Sequence, residues 1–148
     1  MKTARRAARE IALNVLYQWD SAKIPFDEAL ATALENADLS RLGDPVRAEA
    51  AKEYAQVLAR GVKEHLGELD SHIAELAEGW PLERQPAVDR NLLRLAMYEI
   101  SYVNSVPPIV AIDEAVELAK KYSTEESGKF VNGVLASYLK RISQSESE

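Results

Sequence analysis

The chain has 148 residues, is 47% hydrophobic and 28% charged, carries a formal net charge of -6 and contains no cysteine. That length suffices for one compact unit or for two small bundles sharing a core. The absence of thiols excludes a disulfide framework and a thiolate metal site, no apolar run is long enough for a membrane span, and the N-terminus lacks the apolar block of a signal peptide.

The expectation from these properties is a cytoplasmic protein of ordinary soluble composition. An acidic total argues against a generic nucleic-acid coat, but the charge is unevenly placed. Lys2, Arg5, Arg6 and Arg9 all precede the first acid, Glu10, while the segment from Ser143 to Glu148 is polar and acidic. A local basic footprint on an acidic protein is compatible with that pattern.

Thr3 can cap a first helix that runs to about Asp20, burying Ala4, Ala8, Ile11, Ala12, Val15 and Trp19. At about 100° per residue, Lys2, Arg6, Arg9, Leu13 and Tyr17 fall on an adjoining face. Cations and an aromatic on one exposed strip suit single-stranded RNA, with arginine on phosphates and tyrosine stacked on a base. The same residues also fit a solvated helix start with Tyr17 at the boundary of the core.

A second helix is predicted from Pro25 to about Ala37, burying Phe26, Leu30, Ala33 and Leu34. Asp44 then serves as N-cap and Pro45 as first residue of a third helix, whose buried stripe is read as Val46, Ala50, Tyr54, Val57, Leu58, Gly61 and Val62. Gly67 marks a break, followed by a short fourth helix with Leu69, Ile73, Leu76 and Ala77, stopped at Gly79-Trp80-Pro81. Pro86 opens a fifth helix that is apolar on most sides, from Val88 to Ile100, and so is expected at the centre of a second bundle. Asn104 to Pro108 is a rigid connector, because paired prolines end one helix and extend the chain.

The last two helices form a hairpin. Ile112, Ala115, Val116 and Ala119 give the sixth its apolar face, and Ser123 with Glu126 three residues on reads as a capping box for the seventh. Val131, Val134, Leu135, Tyr138 and Ile142 are its buried stripe. Gly128 and Gly133 within that helix each cost about 1 kcal/mol against alanine, which implies a close approach to the backbone. Lys129, Phe130 and Asn132 lie off the apolar centre and form a second set suited to phosphate and base contacts. Equally, Phe130 can widen the core stripe and Lys129 can be a solvated charge.

No segment alternates long enough for a sheet, so the fold class is all-α, with about seven helices. An N-terminal three-helix bundle (1–66) is expected to pack on a C-terminal helical bundle (67–142), followed by a flexible tail (143–148). Catalytic machinery is not evident. Gly128-Lys129 lacks the upstream glycine of a phosphate loop, His65 and His72 have no third ligand at metal spacing, and no nucleophile elbow occurs. Neither a cofactor nor a metal is expected.

Three segments together resemble a known family. Ile112-Asp113-Glu114-Ala115-Val116-Glu117-Leu118-Ala119-Lys120 followed by Lys129-Phe130-Val131-Asn132-Gly133-Val134-Leu135 is similar to the NusB family of transcription antitermination factors. Arg5-Arg6-Ala7-Ala8-Arg9 with Ala12 to Trp19, and Val88 to Glu99, agree with the same pattern, so the resemblance runs from about Lys2 to about Arg141. It implies a NusB-like fold and a non-enzymatic role. The family pairs with the ribosomal protein NusE, binds boxA RNA of nascent transcripts and helps RNA polymerase read through terminators, notably in ribosomal RNA operons. It also implies RNA-binding residues at Arg5, Arg6, Arg9, Tyr17, Lys129, Phe130 and Asn132, to which the face of the first helix adds Lys2, and a partner contact at Asp89. Ala7 and Ala8 dilute the basic run relative to more arginine-rich members, which implies weaker binding to RNA alone and a shallower salt dependence. The free protein is expected as a monomer or homodimer. The competing readings are an RNA-targeting accessory of an RNA methyltransferase and a helical protein-interaction scaffold.

Overall fold

A computed structural model describes the backbone of residues 2–147 and the side chains of residues 4–145. The side chains of Lys2 and Thr3, expected as an RNA contact and a cap, lie outside the described residues. Seven α-helices and two 3-10 turns make up the described residues, with no strand among them. The backbone divides into two compact units, 1–63 and 64–148.

The first unit holds α1 (Lys2–Asp20), α2 (Phe26–Asn36), a 3-10 turn (Ser40–Leu42) and α3 (Pro45–Glu64). Helices α1 and α2 meet where Trp19 sets its ring edge-on to Phe26 at 5.4 Å. Asp44 caps α3 as its sequence position predicts, accepting a hydrogen bond from the Val46 N–H at 2.9 Å. The predicted stripe of α3 is only half right. Leu58, Gly61 and Val62 are buried, together with Ala51, Ala55 and Ala59, but Val46 and Val57 are 75% and 49% exposed and Ala50 is exposed. At about 100° per residue the alanines with Leu58 and Val62 fall opposite Val46, Ala50 and Val57, and Gly61 lies between the two sides. A stripe of alanines took the core, which favours close helix approach, and the larger valines were left outside.

The second unit contains α4 (Leu66–Leu76), a 3-10 turn (Leu82–Arg84), α5 (Ala87–Tyr102), α6 (Pro108–Tyr122) and α7 (Glu125–Ser147). The break before α4 falls at His65 rather than Gly67, which lies inside the helix. Helix α5 is central, packing against α4, α6 and α7. Leu92, Leu93, Leu95, Ala96 and Met97 are all buried, and each large side chain among them contributes about 1.5–3 kcal/mol by leaving water. Polar groups are buried with them. Arg94 clamps Asp70 with two bonds, Nε to Oδ1 at 2.7 Å and Nη2 to Oδ2 at 2.9 Å, and donates a third to Asn91 Oδ1 at 2.8 Å. That fork ties α4 to α5 in a fixed register.

Helix α7 extends past residue 142, where its end was expected, to Ser147. Its cap also differs: Thr124 Oγ1, not Ser123, accepts the Ser127 N–H at 3.0 Å. Both histidines are half-buried and used in ring contacts, His65 stacked on Tyr102 at 4.2 Å and His72 edge-on to Tyr138 at 5.2 Å. The Tyr102 hydroxyl donates to the Glu68 carboxylate at 2.7 Å, which pushes the phenol up to about 12.

Candidate nucleic-acid interface

Two of the expected segments are each a candidate surface, one in each unit. On α1 the core demands more of the helix than its small residues alone indicate. Leu13 and Leu16 are buried beside Ala8, Ile11, Ala12 and Val15. Arg9 is buried with them, at 3% exposure, and is engaged by neighbouring groups. The expectation of Arg9 and Leu13 on an exposed strip is therefore corrected: the buried arc of α1 is wide enough to absorb both. Arg5 is half-buried, its guanidinium lying over the Tyr54 ring at 4.7 Å. That cation–π contact orients Arg5 along α3 while leaving its charge intact. Arg6 and Tyr17 stay exposed, Tyr17 at 41%.

On α7 the reverse holds. Lys129 and Asn132 are exposed, and with Gly133, Ala136 and Lys140, also exposed, they fall within one face of the helix. Lys140 extends this strip at 129 + 11 residues, three turns on, a position that motif reading passes over because it lies beyond the Lys-Phe-Val-Asn run. The Lys129 ammonium stands 3.4 Å from Glu126, but both are largely exposed and the pair contributes little. Gly128 has the close neighbour expected of it, since a Cβ there would meet the Lys120 stem at 2.9 Å. Gly133 does not: nothing lies within 4 Å of the place its Cβ would take, so the close approach expected from within the fold is absent.

Phe130 is half-buried and makes an edge contact with Trp80, ring centroids 4.5 Å apart. Trp80 is 36% exposed and belongs to the loop between α4 and α5, where Gly79 takes a left-handed φ of 76°. The loop is tied down by Gln85 Nε2, which donates to the Trp80 carbonyl at 2.9 Å, and by Arg90 Nη1, which donates to the Gln85 carbonyl at 2.7 Å. An aromatic pair at the surface thus flanks the α7 strip. Trp80 was missed from sequence because it sits in a helix stop, fifty residues from its partner.

Asp89, expected at a partner surface, is fully buried at 0% exposure. Burial pushes its carboxyl up, and the hydroxyls of Ser127 and Ser123 face it and pull the other way. Neither closes a hydrogen bond to it. It has no surface of its own to offer. Among the described residues no group of three histidines, cysteines or acids stands close enough to hold a metal ion, and no helix is long and apolar enough to cross a membrane.

Comparison with known proteins decides the ancestry of this arrangement. The NusB family model matches residues 6–140. The chain belongs to the NusB family. Among similar sequences, the transcription antitermination protein NusB of Symbiobacterium thermophilum is 45% identical over 137 residues, covering 93% of this chain and 90% of that one. The corresponding protein of Salinispora arenicola is 47% identical, covering 89% of this chain and 92% of its own length. Among solved structures, NusB of T. maritima superposes with a TM-score of 0.76 at 41% identity, covering 92% of this chain and 90% of that chain. A crystal structure of antitermination factors NusB and NusE in complex with dsRNA gives a TM-score of 0.81 at 33% identity, covering 95% of this chain and 99% of that one. The all-α architecture is therefore the NusB fold.

Proposed function

We propose that this NusB family member is a transcription antitermination factor that binds boxA RNA of nascent transcripts together with the ribosomal protein NusE, so that RNA polymerase reads through terminators, notably in ribosomal RNA operons. The observation that carries the reading is the match, along nearly the whole of both chains, to a NusB solved with NusE and double-stranded RNA. The protein acts by binding, in the cytoplasm, without covalent chemistry of its own.

On α1 the RNA contacts are Arg6 to phosphate and Tyr17 to a base, with Arg5 held by Tyr54 at the edge of the strip. On α7 they are Lys129, Asn132 and Lys140, with Phe130 and Trp80 as the flanking aromatic pair. Arg9 contributes from beneath by holding the face that carries Arg6. Few phosphate contacts on an acidic protein imply modest affinity for RNA alone and dependence on NusE for tight binding.

The test is fluorescence anisotropy of a labelled boxA RNA, its duplex and a scrambled control, titrated with the protein alone and with NusE. Tighter binding to boxA when NusE is present, lost in an Arg6→Ala/Tyr17→Ala variant that remains helical, is the expected result. Equal weak binding to every RNA, unchanged by NusE and by those substitutions, would overturn it.

A further inference from the structure

Asp89 has no task in the reading above, yet a fully buried carboxylate with neither oxygen hydrogen-bonded is a feature that folded proteins rarely keep. It is the third residue of α5, where the helix N-terminus favours an anion. The polar groups that act on it belong to the chain entering α7. Thr124 Oγ1 donates to Ser127 Oγ at 3.2 Å, and the Ser123 and Ser127 hydroxyls share a bond of 2.8 Å. Three hydroxyl protons are present in this cluster and these two bonds use two of them. The third belongs to Ser123 or Ser127, and both hydroxyls face the carboxylate. One unused donor and one orphaned acceptor are thus neighbours.

Ser127 is itself buried, and it lies two residues before Lys129 and three before Phe130. Its register fixes the rotation of the first turn of α7. With side chains, a helix has a radius of about 5–6 Å, so a rotation of about 20° carries a side-chain tip about 2 Å, enough to lose a phosphate contact. We propose that Asp89 is a positioning residue that, through Ser127 and Ser123, sets the first turn of α7 and with it the placement of Lys129, Phe130 and Asn132 against RNA. This rests on the reading of α7 as an RNA-contacting segment. A carboxyl group suits the task better than an amide, because the amide replaces one acceptor oxygen with a donor NH2 that the serine hydroxyl protons would oppose.

The experiment compares full-length wild type with Asp89→Asn, Ser127→Ala and the double variant. The readouts are boxA RNA affinity with NusE, thermal stability, and amide hydrogen exchange across 125–131. Asp89→Asn is expected to raise the melting temperature, since a buried charge is removed, and yet to weaken RNA binding about threefold. Ser127→Ala weakens it to a similar degree, and the double variant is no worse than the weaker single one, because both act through one contact. Exchange quickens only in the first turn of α7. Additive losses, unchanged exchange, or faster exchange with unaltered RNA affinity would each overturn the proposal. Should wild type fail to bind boxA RNA, the functional reading falls, while the exchange data still decide whether Asp89 braces α7.

Discussion

Helix α1 and the start of α7 each hold cations and an aromatic, but they secure them differently. Helix α1 uses its basic residues partly as structure: Arg9 is buried and the half-buried Arg5 lies over Tyr54, so Arg6 and Tyr17 are the most exposed of the set. Helix α7 keeps its polar strip wholly outside and places the anchoring beneath it, in the Thr124–Ser127 cap, the Lys120 stem packed on Gly128 and the Phe130–Trp80 contact. A count of charges along the sequence would rank α1 far above α7 as an RNA surface. The geometry brings them closer to parity, because a cation packed into a protein is not available to a phosphate.

The widest separation is expected between the two arginines. Arg9→Ala should lower stability by about 2–3 kcal/mol, since it strips a buried, engaged side chain from the core, and a thermal melt would show a fall of several degrees. Arg6→Ala should lower the melt far less than Arg9→Ala, Arg6 being exposed, and reduce the slope of log affinity against log salt by about one. An Arg9 variant with an unaltered melt and a reduced slope would restore the broad basic strip and abolish the contrast. Next in size is Tyr17→Ala, which should weaken RNA binding by about 1–3 kcal/mol if a base stacks there. Phe130→Ala should cost about 1 kcal/mol of stability through the lost Trp80 contact, with a smaller change in affinity. Equal affinity losses from the two aromatics would show that Phe130 also stacks on RNA.

A pH titration sharpens the α7 side. The Asp89 carboxyl is raised by burial, so the fold favours its protonated form. The stability this gives is fully present below the unfolded carboxylate value of about 3.9 and is lost as pH rises through the raised folded value. Relative to wild type, Asp89→Asn should therefore gain stability across the weakly acidic range and hold the gain at neutral pH. A constant difference at all pH values would mean that Asp89 titrates normally. The smallest effect concerns the glycines. Gly133→Ala should stabilise by about 1 kcal/mol or less, having open space for its Cβ, whereas Gly128→Ala should gain less because the Lys120 stem must move. If Gly133→Ala stabilises the protein and also weakens RNA binding, ligand backbone approaches α7 there.

The order and extent of the helices were legible because the chain is punctuated. Asp44-Pro45 and Pro86 fix starts whose φ values and missing N–H groups leave few options, whereas Pro108, read as the end of a connector, is already the first residue of α6. Periodicity located α5 at the centre for the same plain reason: a helix apolar on most sides has nowhere else to go. What the sequence concealed were choices between near-equal alternatives. Helix α3 carries two apolar stripes on opposite sides, and only tertiary packing decides that the alanines face inward. Leu13 extends the buried arc of α1 by one position, which is enough to take Arg9 with it. Asp89 looks like a surface acid at the head of a helix, and nothing local signals that it is buried beside Ser123 and Ser127. Trp80 and Phe130 meet across fifty residues, beyond the reach of any spacing argument.

The two tryptophans have a practical consequence. Trp19 lies in the first unit, edge-on to Phe26, and Trp80 lies in the second, edge-on to Phe130. Replacing either with phenylalanine leaves a single tryptophan per molecule, which red-edge excitation separates from the tyrosines, so the unfolding of each half can be followed by its own fluorescence, without an attached dye. Non-coincident transitions from the two emitters would show that the halves melt independently.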